Sequence, residues 1–150
     1  MARISPVTRD AVRQNERAAY DTFSAKRGSE PKIGPYSIIA HMPEMAQRLE
    51  ALRTYIRNEA SLAQKLQELV MLTVAREMNC GFIWYAHAAV ARQAGVRNDV
   101  VDNIRENRAL ANLARDEEIT IKFPREFCEI ARSTAPRSMP LPPNLVSVAS

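Results

Sequence analysis

Apolar residues recur along this chain at spacings of three and four, and the runs they form are broken only by glycine and proline. No Asn-Gly or Asp-Gly step joins two alternating runs, so nothing marks a β-hairpin, and the pattern predicts an all-helical protein. Thr8 or Asp10 is placed to cap a first helix reaching about Phe23, weakly amphipathic through Val12, Ala19 and Phe23. A loop follows from Ser24 to Pro35, then a short turn from Tyr36 to His41. Pro43 suits the first residue of a helix running to about Asn58, because its missing N–H has no partner to lose there. Met45, Leu49, Leu52 and Ile56 form the stripe that this helix is expected to bury.

Ser61 opens the next predicted helix. Its segment Leu69-Val-Met-Leu-Thr-Val-Ala75 is apolar on every face, the pattern of a helix at the centre of a bundle or at a subunit interface. A stop is expected near Asn79 to Gly81, and a new helix then carries Trp84 to Ala94 until Gly95 ends it in a left-handed cap. Asn98 is a fair cap for a helix from Asp99 to Asn107. Between Asp116 and Ser133 the helical pattern contains Pro124, which is expected to kink or split it. Pro136 to Ser150 holds four prolines and is expected to be extended or disordered. The resulting division is a helical extension over 1–30, one domain over 31–133 and a proline-rich tail over 134–150.

At 150 residues, with 46% apolar and 25% charged, the chain can bury a core without disulfides. Its two cysteines, Cys80 and Cys128, lie far apart and fit reduced thiols. The start of the chain has no continuous apolar stretch of the kind that directs secretion, so a cytoplasmic setting is expected. No apolar run approaches a membrane span, so no membrane partner is expected. The net charge of +4 is spread singly among acids. That is a solvated mixed surface rather than a nucleic-acid face.

Candidate chemistry concentrates between Glu68 and His87. Cys80 and His87 stand two helical turns, about 10 Å, apart on one face and cannot touch. Position 83, one turn from His87, is Ile83 and offers no second thiol. Cys80 begins its helix, where the N-terminus favours a thiolate. Glu68 precedes Cys80 by twelve residues, so antiparallel packing of the two helices returns it toward His87. A carboxylate and imidazole so paired suit acid–base work. Equally, Cys80 can be a small packing residue, and Glu68, Arg76, Trp84 and Tyr85 can be ordinary surface, core or interface positions. With only His41 and His87, and no HxxxH or CxxC spacing, no metal site is expected.

The stretches Lys26-Arg-Gly28, Gly34-Pro-Tyr36, His41-Met-Pro-Glu-Met-Ala46, Leu66 to Arg76, Cys80-Gly-Phe-Ile-Trp-Tyr-Ala-His87 and Ala91-Arg-Gln-Ala-Gly-Val96 keep one order and spacing over roughly residues 20 to 105. In them the chain resembles the carboxymuconolactone decarboxylase family, within the alkylhydroperoxidase D-like superfamily. The resemblance implies an alkylhydroperoxidase D-like helical bundle that assembles as a homo-trimer or hexamer, with sites near subunit contacts. It implies Glu68, Cys80 and His87 as catalytic positions, with Ile83 where peroxidase members carry the second cysteine of a redox pair. Loss of that thiol removes the intramolecular disulfide of the peroxidase cycle. The lactone decarboxylases of the family lack that dependence. By analogy His87 is the acid, Glu68 its orienter and Arg76 the anchor of a substrate carboxylate, with Trp84 and Tyr85 beside the small molecule and no cofactor required. The alternatives are a peroxidase using Cys80, resolved by Cys128, another subunit or an external thiol, and a non-catalytic oligomeric homologue.

Overall fold

The computed structural model describes residues 4–134, which form seven α-helices and, among the described residues, no strand. These are α1 (Arg17–Arg27), α2 (Gly34–Ile39), α3 (Pro43–Asn58), α4 (Gln64–Glu77), α5 (Gly81–Gln93), α6 (Asn98–Glu106) and α7 (Arg115–Thr134). The all-helical expectation therefore holds across the described chain. The expected proline-rich tail lies outside the described residues, apart from Thr134 at the end of α7. Two compact units divide within α4, one ending at Gln67 and the next beginning at Glu68.

In the first unit the predicted opening helix gives way to two 3-10 turns, Arg9–Ala11 and Gln14–Glu16, before α1. Hydrogen bonds back from α1 hold this segment: Tyr20 Oη donates to the Val7 carbonyl, and Arg17 donates to the carbonyls of Asp10 and Val12. Arg9 grips Asp21 through two bonds of 2.7 and 2.8 Å. At its other end α1 passes Phe23 and stops only at Gly28, whose φ of +75° closes the last turn onto the Ala25 carbonyl. The expected turn at Tyr36 to His41 is instead mostly α2, which starts at Gly34 with Pro35 in its first turn.

Helix α3 has the predicted limits, but its buried face is not the predicted one. Pro43, Ala46 and Glu50 are covered, while Met45, Leu49, Leu52 and Ile56 are 38% to 53% exposed. Periodicity locates an apolar stripe without saying which side of the helix its own chain will cover. Here Ala46 joins Val12, Tyr20, Phe23 and Ala40 in the core. Glu50, one turn on, brings a carboxylate inside. Its oxygens accept from Arg53 at 2.6 and 3.0 Å and from Arg27 at 3.3 Å. The Arg27 guanidinium also lies 3.4 Å from the centre of the Tyr36 ring, so one cation links α1, α2 and α3. Gln67 Nε2 donates to the carbonyls of Ile56 and Leu62, holding the loop between α3 and α4.

The second unit buries Leu69, Leu72, Thr73 and Ala75 of α4, whereas Met71 is exposed. That helix is apolar all round yet covered on one side. It begins at Gln64, three residues past Ser61, where the Ala63 carbonyl accepts from Gln67 N–H. Helix α5 starts earlier than predicted, at Gly81, and ends as expected with Gly95 at φ +93°. The Gly95 and Val96 N–H groups bond the carbonyls of Arg92 and Ala91, a Schellman closure. Asn98 is the first residue of α6 and not its cap. The split expected at Pro124 does not occur, for α7 continues unbroken through that residue to Thr134. A proline inside a helix forfeits its own N–H bond and crowds the carbonyl four residues back, and here the first turn of α7 is well secured: Glu117 Oε2 accepts from Ala114 N–H, and three acids lie in that turn. Arg132 bonds both the carbonyl and the carboxylate of Glu77, fastening the end of α7 to the end of α4.

The hydrogen bonds and charge of Arg53, with a smaller contribution from Arg27, hold the Glu50 carboxyl below its ordinary range against the opposing effect of burial. Unfolded chains therefore bind more protons than folded ones between the folded and unfolded values, and stability rises with pH through that window. Thermal melts of the parent and of Glu50→Gln should differ by about 1–3 kcal/mol near neutrality. The margin should persist down to about pH 4.3 and disappear as the pH falls further, through the depressed folded value. A margin unchanged at pH 3 contradicts this account.

Candidate functional site

The reversal between α4 and α5 is built from three residues. Asn79 adopts φ +49°, where asparagine is tolerated better than most side chains. Its N–H bonds the Arg76 carbonyl at 3.1 Å and the Cys80 N–H bonds the Ala75 carbonyl at 2.8 Å. The Cys80 carbonyl then accepts from Trp84 N–H, starting α5. From the Ala75 to Cys80 bond, seven residues back lead to Glu68 and seven forward lead to His87. Equal arms returning along each other bring those two side chains to one level, about 10 Å from the turn.

At that level Glu68 Oε2 and His87 Nδ1 are 2.7 Å apart. Glu68 has no exposed surface and the His87 side chain is 18% exposed. When the carboxylate is ionised it can only accept, and the hydrogen of this bond then belongs to Nδ1. In the neutral ring the other nitrogen, Nε2, then carries the lone pair that can take up and return a proton. A buried carboxylate without hydrogen bonds is costly, and the imidazole offsets that cost while being held in one orientation. Such a pair is suited to proton transfer at a small molecule.

The other four sequence-selected residues gather elsewhere. Arg76, Cys80, Trp84 and Tyr85 line an open groove of about 610 Å³, which small residues at Gly81, Ala88 and Ala89 leave unfilled. Arg76 Nε is buried there with no hydrogen-bond partner. Cys80 is partly exposed, and Tyr85, at 89% exposure, stands on the rim. Glu68 and His87 do not line this groove, although Trp84 lies one turn before His87 on α5. Ile83, also one turn from His87, is half-buried. Cys128 is buried on α7, and both cysteines are free thiols.

Two lining cations escaped the sequence reading, Arg92 and Arg105. Arg92 follows Trp84 by eight residues, so helical spacing alone could have placed it on the same side of α5. Arg105 comes from α6 and has no local signal. Arg92 is held at 2.7 Å by Asp102, also of α6. Three guanidiniums, an indole and a phenol form a surface suited to an organic anion with a flat apolar body. Among the described residues no group of three or more His, Cys, Asp or Glu side chains is arranged to hold a metal ion. None of the described helices is long and apolar enough to cross a membrane.

The family model of the carboxymuconolactone decarboxylase family matches residues 43–119, from the start of α3 into α7. The match spans the turn, the Glu68 and His87 pair, and every residue lining the groove. No curated protein and no solved structure matches the chain.

Only two histidines occur, and His41 Nε2 bonds the Ser5 carbonyl. Nitrogen-15 correlation spectra should therefore resolve His87 and show its neutral form protonated at Nδ1. In Glu68→Ala that preference should be lost. A parent ring protonated at Nε2 contradicts the assigned bond.

Proposed function

Because the chain belongs to the carboxymuconolactone decarboxylase family, we propose that it is a decarboxylase-like enzyme acting on a small carboxylated or lactone metabolite through Glu68 and His87. The observation that carries this reading is the 2.7 Å contact between a fully buried carboxylate and a part-exposed imidazole. In the proposed reaction Arg76 anchors a carboxylate of the substrate, Trp84 and Tyr85 flank its body, and the substrate extends past Trp84, one turn before His87 on α5, to reach the imidazole. The bond from the reacting carbon to a second carboxylate breaks, carbon dioxide leaves, and the electron pair passes into the enolate of the adjacent carbonyl. His87 protonates that carbon and recovers its proton from water, while Glu68 orients the ring and faces the charge it carries when protonated. The sequence so written needs neither metal nor organic cofactor. Family membership also supports a homo-trimer or hexamer.

One observation favours a second reading, peroxide reduction at Cys80: that thiol is partly exposed and lines the groove beside Arg76. Attack of the thiolate on a hydroperoxide yields a sulfenic acid and an alcohol, and an external thiol must then restore Cys80, since Ile83 supplies none.

The test of the first reading is carbon dioxide release from small unsaturated lactone acids. Glu68→Gln and His87→Ala should each lower kcat by about 10²–10⁴-fold, while Cys80→Ser stays near the parent. Release that survives His87→Ala sinks the acid–base reading.

Thiol loss with one equivalent of an organic hydroperoxide tests the second. Fast loss that disappears in Cys80→Ser supports peroxidase chemistry. Loss no faster than that of an exposed model thiol removes it.

A further inference from the structure

The groove beside the turn between α4 and α5 is lined by the guanidiniums of Arg76, Arg92 and Arg105 and by no carboxylate. Acids close enough in sequence to neutralise these cations are turned elsewhere. Glu77, next to Arg76, faces Arg125 at 3.6 Å and Arg132 at 3.0 Å, both on α7. The acids of α6 are engaged too: Asp99 with Arg97 at 3.2 Å, Asp102 with Arg92 at 2.7 Å and Glu106 with Arg108 at 2.7 Å. Among the described residues, Arg92 is thus the one lining cation matched by an acid. Two remain, Arg76 with its buried, unpartnered Nε and the exposed Arg105.

These two lie toward opposite ends of the groove. Arg76 is in the last turn of α4, beside the reversal. Arg92 reaches back along α5, its guanidinium donating to the Ala88 carbonyl at 3.3 Å and to Asp102 at 2.7 Å. Asp102 and Arg105, three residues apart on α6, are neighbours on one face. Arg105 therefore enters the groove from the Ala88 end, two turns, about 12 Å, along α5 from Cys80. The Arg76 side chain leans toward the start of α4, as helical side chains do, and shortens that span. Trp84 and the small Ala88 line the space between.

We propose that Arg105 is a specificity residue of this groove: it binds a second carboxylate, so the molecule held there is a flat acid with a carboxylate at each end. The inference rests on the reading of the groove as the surface that holds substrate. It makes the substrate one that keeps two carboxylates after carbon dioxide has left. Each guanidinium offers parallel N–H groups that match one carboxylate, and their separation excludes acids whose carboxylates are adjacent.

Trp84 is the only tryptophan in the chain, so its fluorescence, with calorimetry beside it, reads occupancy of the groove without turnover. The probes are benzoate, phthalate and terephthalate, which share one ring and differ in the number and spacing of carboxylates. Terephthalate should bind about tenfold more tightly than benzoate, as one further charge-assisted bond allows. Phthalate, with its carboxylates side by side, should resemble benzoate. Arg105→Gln should bring terephthalate to the benzoate level, and Arg105→Lys should restore part of the difference. Arg108→Gln, which removes a charge from just past α6 and outside the groove, should preserve it. Circular dichroism and melting of these exposed-site variants should match the parent. Failure of terephthalate to bind the parent more tightly than benzoate overturns the proposal. So does a preference that survives Arg105→Gln, falls equally in Arg108→Gln, or extends to phthalate. The result is separate from the chemistry at His87. A diacid preference abolished by Arg105→Gln upholds the inference even where no carbon dioxide is released, whereas release without that preference leaves the reaction standing and removes the inference.

Discussion

Glu68 has no contact with solvent, and the second half of α4 and all of α5 are arranged so that this carboxylate meets an imidazole. The register of the two helices is set twice. At one end the left-handed Asn79 lets Cys80 close onto Ala75, and at the other Glu68 closes onto His87. Because the two arms are equal, the turn and the pair enforce the same alignment. A one-residue slip would rotate His87 by about 100° and leave the carboxylate without it. The groove depends on the same alignment, since its walls are the residues around the turn and the small side chains that follow on α5.

Arginine serves two different purposes in the two units. Around Glu50 the guanidiniums of Arg27 and Arg53 are matched to a buried carboxylate, and the result is structural, a charged tie among the first three helices. Around the groove Arg92 is matched to Asp102, but Arg76 carries a buried Nε with no partner. An unsatisfied buried donor is expensive, and this one lies beside an open groove. The same residue type thus ties helices together around Glu50 and lines an open groove at Arg76.

The two exposed stripes, on α3 and α7, follow from a related limit. A helix needs one apolar face to join its own core; α3 satisfies that need with Pro43 and Ala46, and α7 with Ile121, Pro124 and Cys128. Met45, Leu49, Leu52 and Ile56 of α3, and Ile119, Phe123, Phe127 and Ile130 of α7, face outward. In an isolated chain that arrangement leaves hydrophobic free energy unrealised, and association is the ordinary way to recover it.

Local chemistry was enough to determine much of this protein. The helical periodicity, the proline at the start of α3, the stop near Asn79 and the glycine cap at Gly95 are short-range effects, settled by sterics and hydrogen bonds within a few residues. The closeness of Glu68 and His87 was legible for the same reason, since a three-residue turn between two helices leaves little freedom in what meets what. Tertiary structure decided the rest. Whether the N-terminal segment joined α1 depended on bonds from Tyr20, Arg17 and Arg9 that local pattern does not register. Pro124 left α7 unbroken, with its ring buried beside Ile121 and Cys128 on the covered face of the helix. Arg105 reached the groove from another helix, and the large apolar residues of α3 stayed outside because its small ones met α1. Periodicity records that a face is apolar, whereas which face is buried depends on the shape and charge of distant neighbours that only the folded chain brings together.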